Sequence, residues 1–146
     1  MKPLYLLVTL LSLCAVTSHA QLPGKPKVFA SYPERFICSG EKFNEAFAIA
    51  EGYYVNLELT PGFIFRGRVT SNIQRYSNLY SMTIQSIEFE NAVFHLSKQI
   101  GQDNSITYVG RIMSMNADDG YVLQRSEGQY IMEKTEEKFI RQVCNY

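Results

Sequence analysis

The sequence predicts a mainly β (α+β) domain: an antiparallel sheet, barrel or sandwich of six to eight short strands with one N-terminal helix. Three observations predict it. From Gly52 onward, apolar residues recur with period two, the mark of a half-buried strand. Turn residues punctuate that pattern at intervals of roughly ten residues, the spacing of all-β folds. No helical segments alternate with the strands, which argues against a parallel α/β sheet.

The elements follow in order. Residues 21–31 carry two prolines and a glycine and read as an extended arm ahead of the domain, which is expected to occupy 32–146. Tyr32 to Cys38 reads as a first strand. In residues 40–51, Phe43, Ala46, Phe47 and Ala50 fall at i, i+3, i+4 and i+7, one face of a helix. Ser39 suits its N-cap and Gly52 the position after its end. Tyr53, Val55, Leu57 and Leu59 then alternate with polar neighbours up to Pro61-Gly62, and Phe63, Phe65 and Val69 alternate beyond it, a hairpin with one wet face. Residues 71–78 read as a polar loop. Tyr80, Met82 and Ile84 share a face, while Ile87 and Phe89 have the other parity, which a bulge near Gln85-Ser86 would realign. Ala92, Phe94, Leu96 and Ile100 form the next face, 105–115 a further strand, and 121–125 and 129–133 two more across Glu127-Gly128. Residues 135–143 suit a short helix or a last strand. Arg66-Gly67-Arg68 is echoed by Val109-Gly110-Arg111, which suggests two strands of like geometry and is too brief for a repeat.

Residues 1–20 read as a secretory signal. Lys2 supplies the positive start, Leu4 to Val16 the apolar run, and Ser18-His19-Ala20 the small residues of a cleavage site. The run is short for a membrane span, which needs ~20 residues. The protein is therefore expected to be secreted, cleaved near Ala20, with no membrane span. Losing Lys2 leaves 13 basic against 14 acidic residues, and that balance argues against nucleic-acid binding, which needs a basic surplus.

Cys14 would leave with the signal. Cys38 and Cys144 remain, and an even pair in an exported chain reads as one disulfide. It would close a loop of 106 positions, worth ~4–5 kcal/mol in the chain-entropy model.

No residue pattern calls for catalysis, a metal or a cofactor. His95 would be the sole histidine left, and neither a nucleophile elbow nor a triad pattern accompanies it. Zinc sites combine several His or Cys ligands. Asp118 and Asp119 beside Gly120 read as a solvated hairpin turn, because a calcium loop needs further ligands at fixed spacing. The phosphate-binding glycine loops are absent. A helix followed by antiparallel strands is similar in outline to cystatins, yet the Q-x-V-x-G loop is missing. A small barrel with one disulfide looks like a lipocalin, yet the G-x-W signature is missing.

The expectation is thus a non-enzymatic extracellular binding module for a protein, a glycan or a small apolar ligand. The alternative is a structural component of an extracellular matrix or secretion. Two sets of residues are candidates. Arg66, Arg68, Tyr54, Arg75 and Tyr76 offer donors and large contact area on the wet side. The plain alternative for the arginines is cross-strand pairing with Glu58. Phe63, Phe65, Ile84, Phe94 and Tyr108 would line a barrel interior able to hold a lipid-like ligand.

Overall fold

The computed structural model describes residues 24–136. The chain forms an eight-stranded antiparallel, nearly closed barrel with one short helix. The elements are β1 (Arg35–Cys38), α1 (Gly40–Phe47), β2 (Tyr54–Thr60), β3 (Phe63–Tyr76), β4 (Leu79–Ser86), β5 (Ala92–Ile100), β6 (Ile106–Ser114), β7 (Asp119–Ser126) and β8 (Gln129–Glu136). Strands β2 to β8 run as a meander, each paired with the next, and β1 returns to pair with β8. The end strands β1 and β2 lie close together without a hydrogen-bonded ladder between them.

Alternation along each strand sends one side chain in and the next out. One inward row crosses seven strands: Phe36, Met132, Leu123, Gly110, Leu96, Met82 and Asn72. An eight-stranded barrel is just wide enough for side chains to fill or for one small ligand. Here aromatic rings run the length of the interior. Phe63 meets Phe89 at 5.9 Å between centroids, Phe89 meets Phe65 at 6.1 Å, and Phe65 meets Phe94 at 5.7 Å. Phe94 meets Phe43 of α1 at 6.4 Å, and Phe43 meets Tyr108 at 5.6 Å.

Each end of the barrel is plugged. At one end α1 lays Phe43 and Ala46 onto the core. Ser39 caps it by accepting the Glu41 N–H at 3.2 Å. The helix ends at Phe47, four residues earlier than the periodicity suggests. The Asn72 amide explains this: its Nδ2 donates to the Phe47 and Ile49 carbonyls at 2.9 and 2.8 Å, which satisfies them outside a helix. Gly52, with φ of +91°, then turns the chain into β2. At the other end, part of the expected arm belongs to the core. Phe29 is fully buried and packs on Phe89 at 4.9 Å and Tyr121 at 5.5 Å.

Four further details differ from the expectation. The first strand begins at Arg35 rather than Tyr32. Residues 71–76 continue β3 instead of forming a loop, because register shifts at Val69/Ser71 and Gln74/Tyr76 absorb the lost alternation. No bulge realigns Ile87 and Phe89. β4 stops at Ser86, whose Oγ accepts the Glu88 and Phe89 N–H groups at 3.1 and 2.9 Å, and the resulting turn buries Phe89 while Ile87 stays exposed. Finally, Asp119 starts β7 as a buried residue and is not part of a solvated turn.

Candidate functional site

The five residues expected in the interior are there. Phe63, Phe65, Ile84, Phe94 and Tyr108 are all buried, on β3, β4, β5 and β6. They pack against neighbouring rings, including Phe43 and Phe29 of the two plugs. The Tyr108 hydroxyl donates to Asn44 Oδ1 of α1 at 3.2 Å, and Lys98 Nζ donates to the same oxygen at 2.8 Å. Burial, and after it the neighbouring Tyr130, raises the Tyr108 phenol above its ordinary value.

The wet-face candidates divide into two groups. Tyr54 lies opposite Arg68, and Asn56 opposite Arg66, so Tyr54, Arg66 and Arg68 share the outer face of the β2–β3 hairpin. Arg68 Nε donates to the Gly52 carbonyl at 3.0 Å, which fixes the guanidinium beside a groove of about 210 Å³ lined by Glu51, Gly52, Arg68 and Thr70. Tyr53 and Tyr54 are each 68% exposed, and Tyr54 is the cross-strand neighbour of Arg68. Tyr53 escaped sequence reading because period two assigns it to the apolar face, and it precedes the first strand residue. Arg75 and Tyr76 stand at the far tip of β3. Seven residues at ~3.3 Å each place Arg75 ~23 Å from Arg68, so these two do not join the first group. Arg66 pairs with Glu88, not with Glu58, because the register sets Glu58 opposite Ile64 and brings the β4–β5 turn over Arg66.

His95 lies on the outer face of β5 between Thr83 and Arg111. Its Nδ1 is 3.3 Å from Thr83 Oγ1. Partial burial and the Arg111 charge hold its pKa below the ordinary value. Among the described residues, no group of three or more His, Cys, Asp or Glu side chains could hold a metal ion. No helix among them is long and apolar enough to cross a membrane.

Asp119 was assigned to a turn on composition, and its role is structural. Oδ1 accepts the Val28 N–H at 2.7 Å and Oδ2 the Phe29 N–H at 2.9 Å. Tyr121, next inward on β7, donates to the Pro33 carbonyl at 2.7 Å. Lys134 Nζ donates to the Tyr32 carbonyl at 2.8 Å and to Glu34 Oε1 at 2.7 Å. Residues 28–34 are thus fastened to β7 and β8. The signal that could have exposed this is the alternation Asp119, Tyr121, Leu123, which puts Asp119 on the inward face.

Cys38 is buried on the inward face of β1, and burial pushes its thiol up to about 12 despite a backbone hydrogen bond at Met132. It has no disulfide partner among the described residues, and Cys144 lies outside them. The signal at 1–20 lies outside them as well. No family model, no curated protein and no solved structure matches this chain.

Proposed function

We propose that the protein is a secreted, non-enzymatic binding module that recognises a protein or glycan through the outer face of the β2–β3 hairpin. The observation that carries this reading is the pair Tyr54 and Arg68: an exposed ring across the hairpin from a guanidinium already oriented by the Gly52 carbonyl, with the exposed Tyr53 next in the chain. Tyrosine and arginine bring large contact area and directional donors to recognition surfaces. An oriented arginine loses less freedom when it binds. The aromatic filling of the barrel supports the outer face over an interior site for a small apolar ligand. Export follows from the signal sequence at 1–20, and the Cys38–Cys144 pair suits an oxidising compartment.

The test uses the exported protein against a panel of glycans and against proteins of the extracellular fluid. Tyr54→Ala/Arg68→Ala should weaken the selected interaction more than ~10-fold, the loss typical of a hot-spot pair, with thermal unfolding unchanged. Unaltered binding by the double variant removes this face as the site. Stoichiometric uptake of a fatty acid by the wild type would return the site to the interior.

A further inference from the structure

The groove beside Arg68 is built from the backbone outward. Gly52 N–H donates to the Val69 carbonyl at 2.8 Å, and Val69 N–H donates to the Tyr53 carbonyl at 2.8 Å, so the loop after α1 is laced to β3. The Gly52 carbonyl then accepts from Arg68 Nε at 3.0 Å. A Cβ at Gly52 would stand 3.8 Å from an Arg68 η nitrogen, so the guanidinium lies along this turn. The register shift between Val69 and Ser71 leaves Thr70 outside the ladder, and Thr70 lines the same groove. Bulges re-aim side chains in this way beside functional sites. The Thr70 hydroxyl donates to the Thr83 carbonyl at 3.2 Å, which leaves its lone pairs as acceptors.

The charges narrow what fits. Arg66, two residues away on the same face, is neutralised by Glu88. Arg68 uses one N–H on a neutral carbonyl and has no carboxylate within salt-bridge distance among the described residues. Its remaining donors, on the η nitrogens, form the planar fork that meets a carboxylate with two parallel bonds. Glu51 lines the groove as well. Its carboxylate repels a ligand charged throughout, such as a sulfated chain, and accepts from hydroxyls. A balance of 13 basic against 14 acidic residues after export also disfavours a polyanion.

Size narrows the ligand further. A groove of about 210 Å³ is smaller than the ~300–1,000 Å³ sites that enclose a whole drug-sized molecule. It takes one ring-sized unit, with the rest of the ligand outside. Tyr54 is exposed and opposite Arg68, and opposed Cβ atoms are ~5 Å apart, so its ring offers an apolar face within reach of that unit. An aspartate or glutamate side chain would engage the guanidinium and bring no donor for Glu51 and Thr70. A sugar acid brings a carboxylate and several hydroxyls on one ring.

We propose that this groove binds the terminal acidic sugar of a glycan, a ring with one carboxylate and free hydroxyls. The carboxylate lies on the Arg68 η nitrogens, hydroxyls donate to Glu51 and Thr70, and the ring faces Tyr54. This rests on the reading of the β2–β3 hairpin as the recognition face and names the ligand of that face.

The experiment titrates the exported protein with the methyl glycosides of glucuronic, galacturonic and N-acetylneuraminic acid, each beside its methyl ester, and follows the Gly52 amide and the Arg68 Nε–H by NMR. At least one acid should shift both signals and bind ~10-fold or more tightly than its ester, the scale of a charge-assisted pair. Arg68→Lys keeps the charge, loses the fork and should remove most of that preference. Tyr54→Ala should weaken acid and ester by a similar factor, because the ring contact ignores the charge. Equal affinity for every acid and its ester, or no binding of any acid, overturns the proposal. The recognition face is then judged separately, by Tyr54→Ala/Arg68→Ala against the protein and glycan panel. A preference for the acid that survives in Arg68→Ala also overturns it, since the carboxylate is then read elsewhere. Acidic peptides that bind through Arg68 where the acidic sugars do not overturn it in favour of a protein partner.

Discussion

The two ends of the barrel are closed by different chemistry. At the helix end, α1 is pinned mainly through amide side chains: the Asn72 amide on the Phe47 and Ile49 carbonyls, and Asn44 accepting from the Tyr108 hydroxyl and the Lys98 ammonium. At the opposite end, residues 28–34 are pinned by ionisable side chains, with both Asp119 oxygens on backbone N–H groups and Lys134 on the Tyr32 carbonyl. Both ends bury a phenylalanine completely, Phe43 at one and Phe29 at the other. Apolar burial is thus matched, and the difference lies in the polar fastening. Backbone donors withdrawn from water must find partners. A helix satisfies most of its own, whereas an irregular plug such as 28–34 depends on side chains from the wall.

That contrast predicts unequal effects. Asp119→Ala leaves the Val28 and Phe29 N–H groups unpaired in a buried setting, a loss of about 3 kcal/mol or more. Asn72→Ala removes two neutral hydrogen bonds from a half-buried site and should cost about 1–2 kcal/mol. Urea unfolding of both variants measures the ratio, and equal midpoints would show that the carboxyl adds nothing over the amide. Proteolysis should sharpen the comparison, with Asp119→Ala cut first within residues 24–34 and Asn72→Ala within 47–53.

Raising the pH separates the ends by a second route. The Tyr121 phenol is raised above its ordinary value by burial first, then by Glu34, Asp119 and Tyr32. Cys38, at the end of β1 that leads into α1, is pushed from 9.0 to about 12 by burial. A raised folded-state pKa gives stability that is complete below the unfolded value and lost as the pH climbs toward the folded one. For the reduced Cys38 thiol, that window runs from about 9 to about 12. For Tyr121 the loss begins near 10. Under reducing conditions the protein should therefore unfold more readily above pH 9, first where Cys38 leads into α1, with the end held by Tyr121 loosening above pH 10 in hydrogen exchange. Adding Tyr121→Phe should flatten the part of the slope above pH 10. His95 has a lowered pKa, so its contribution is present above about 6.5 and fades as the pH falls, and its position on the outer face keeps that effect small.

The same contrast explains what could be read from the residues. The β strands and the helix were legible because period two and period 3.6 are written in Val55, Leu57, Leu59 and in Phe43, Ala46. The echo around Gly67 and Gly110 was visible, and the structure gives it a cause. A Cβ at Gly67 would lie 2.5 Å from the Gln85 carbonyl oxygen, and one at Gly110 2.7 Å from that of His95. Both glycines therefore mark places where strands approach too closely for a side chain, as at barrel bends. Asp119 and Asn72 were missed for one shared reason: each is a turn-forming residue type used at a distance, on a partner 91 or 25 positions away. Local sequence carries no sign of such a partner. The wet face was legible in part, because Tyr54 and Arg68 follow from alternation, whereas the length of β3 that removes Arg75 and Tyr76 from them depends on sheet curvature.

The smallest effect concerns the start of α1. Ser39 Oγ accepts the Glu41 N–H at 3.2 Å in an exposed setting. Ser39→Ala should cost about 0.5–1 kcal/mol, the low part of the N-cap range. An eight-residue helix is too short to persist on local preference alone. If burial of Phe43 and Ala46 holds it in place, the cap adjusts the first turn and nothing more. Hydrogen exchange should then quicken at Glu41 and Lys42 while the later amides of α1 stay unchanged. A uniform increase through Phe47 would mean that the cap, and not the core contact, nucleates the helix, and the plug at this end would be as dependent on a single polar contact as residues 28–34 are on Asp119.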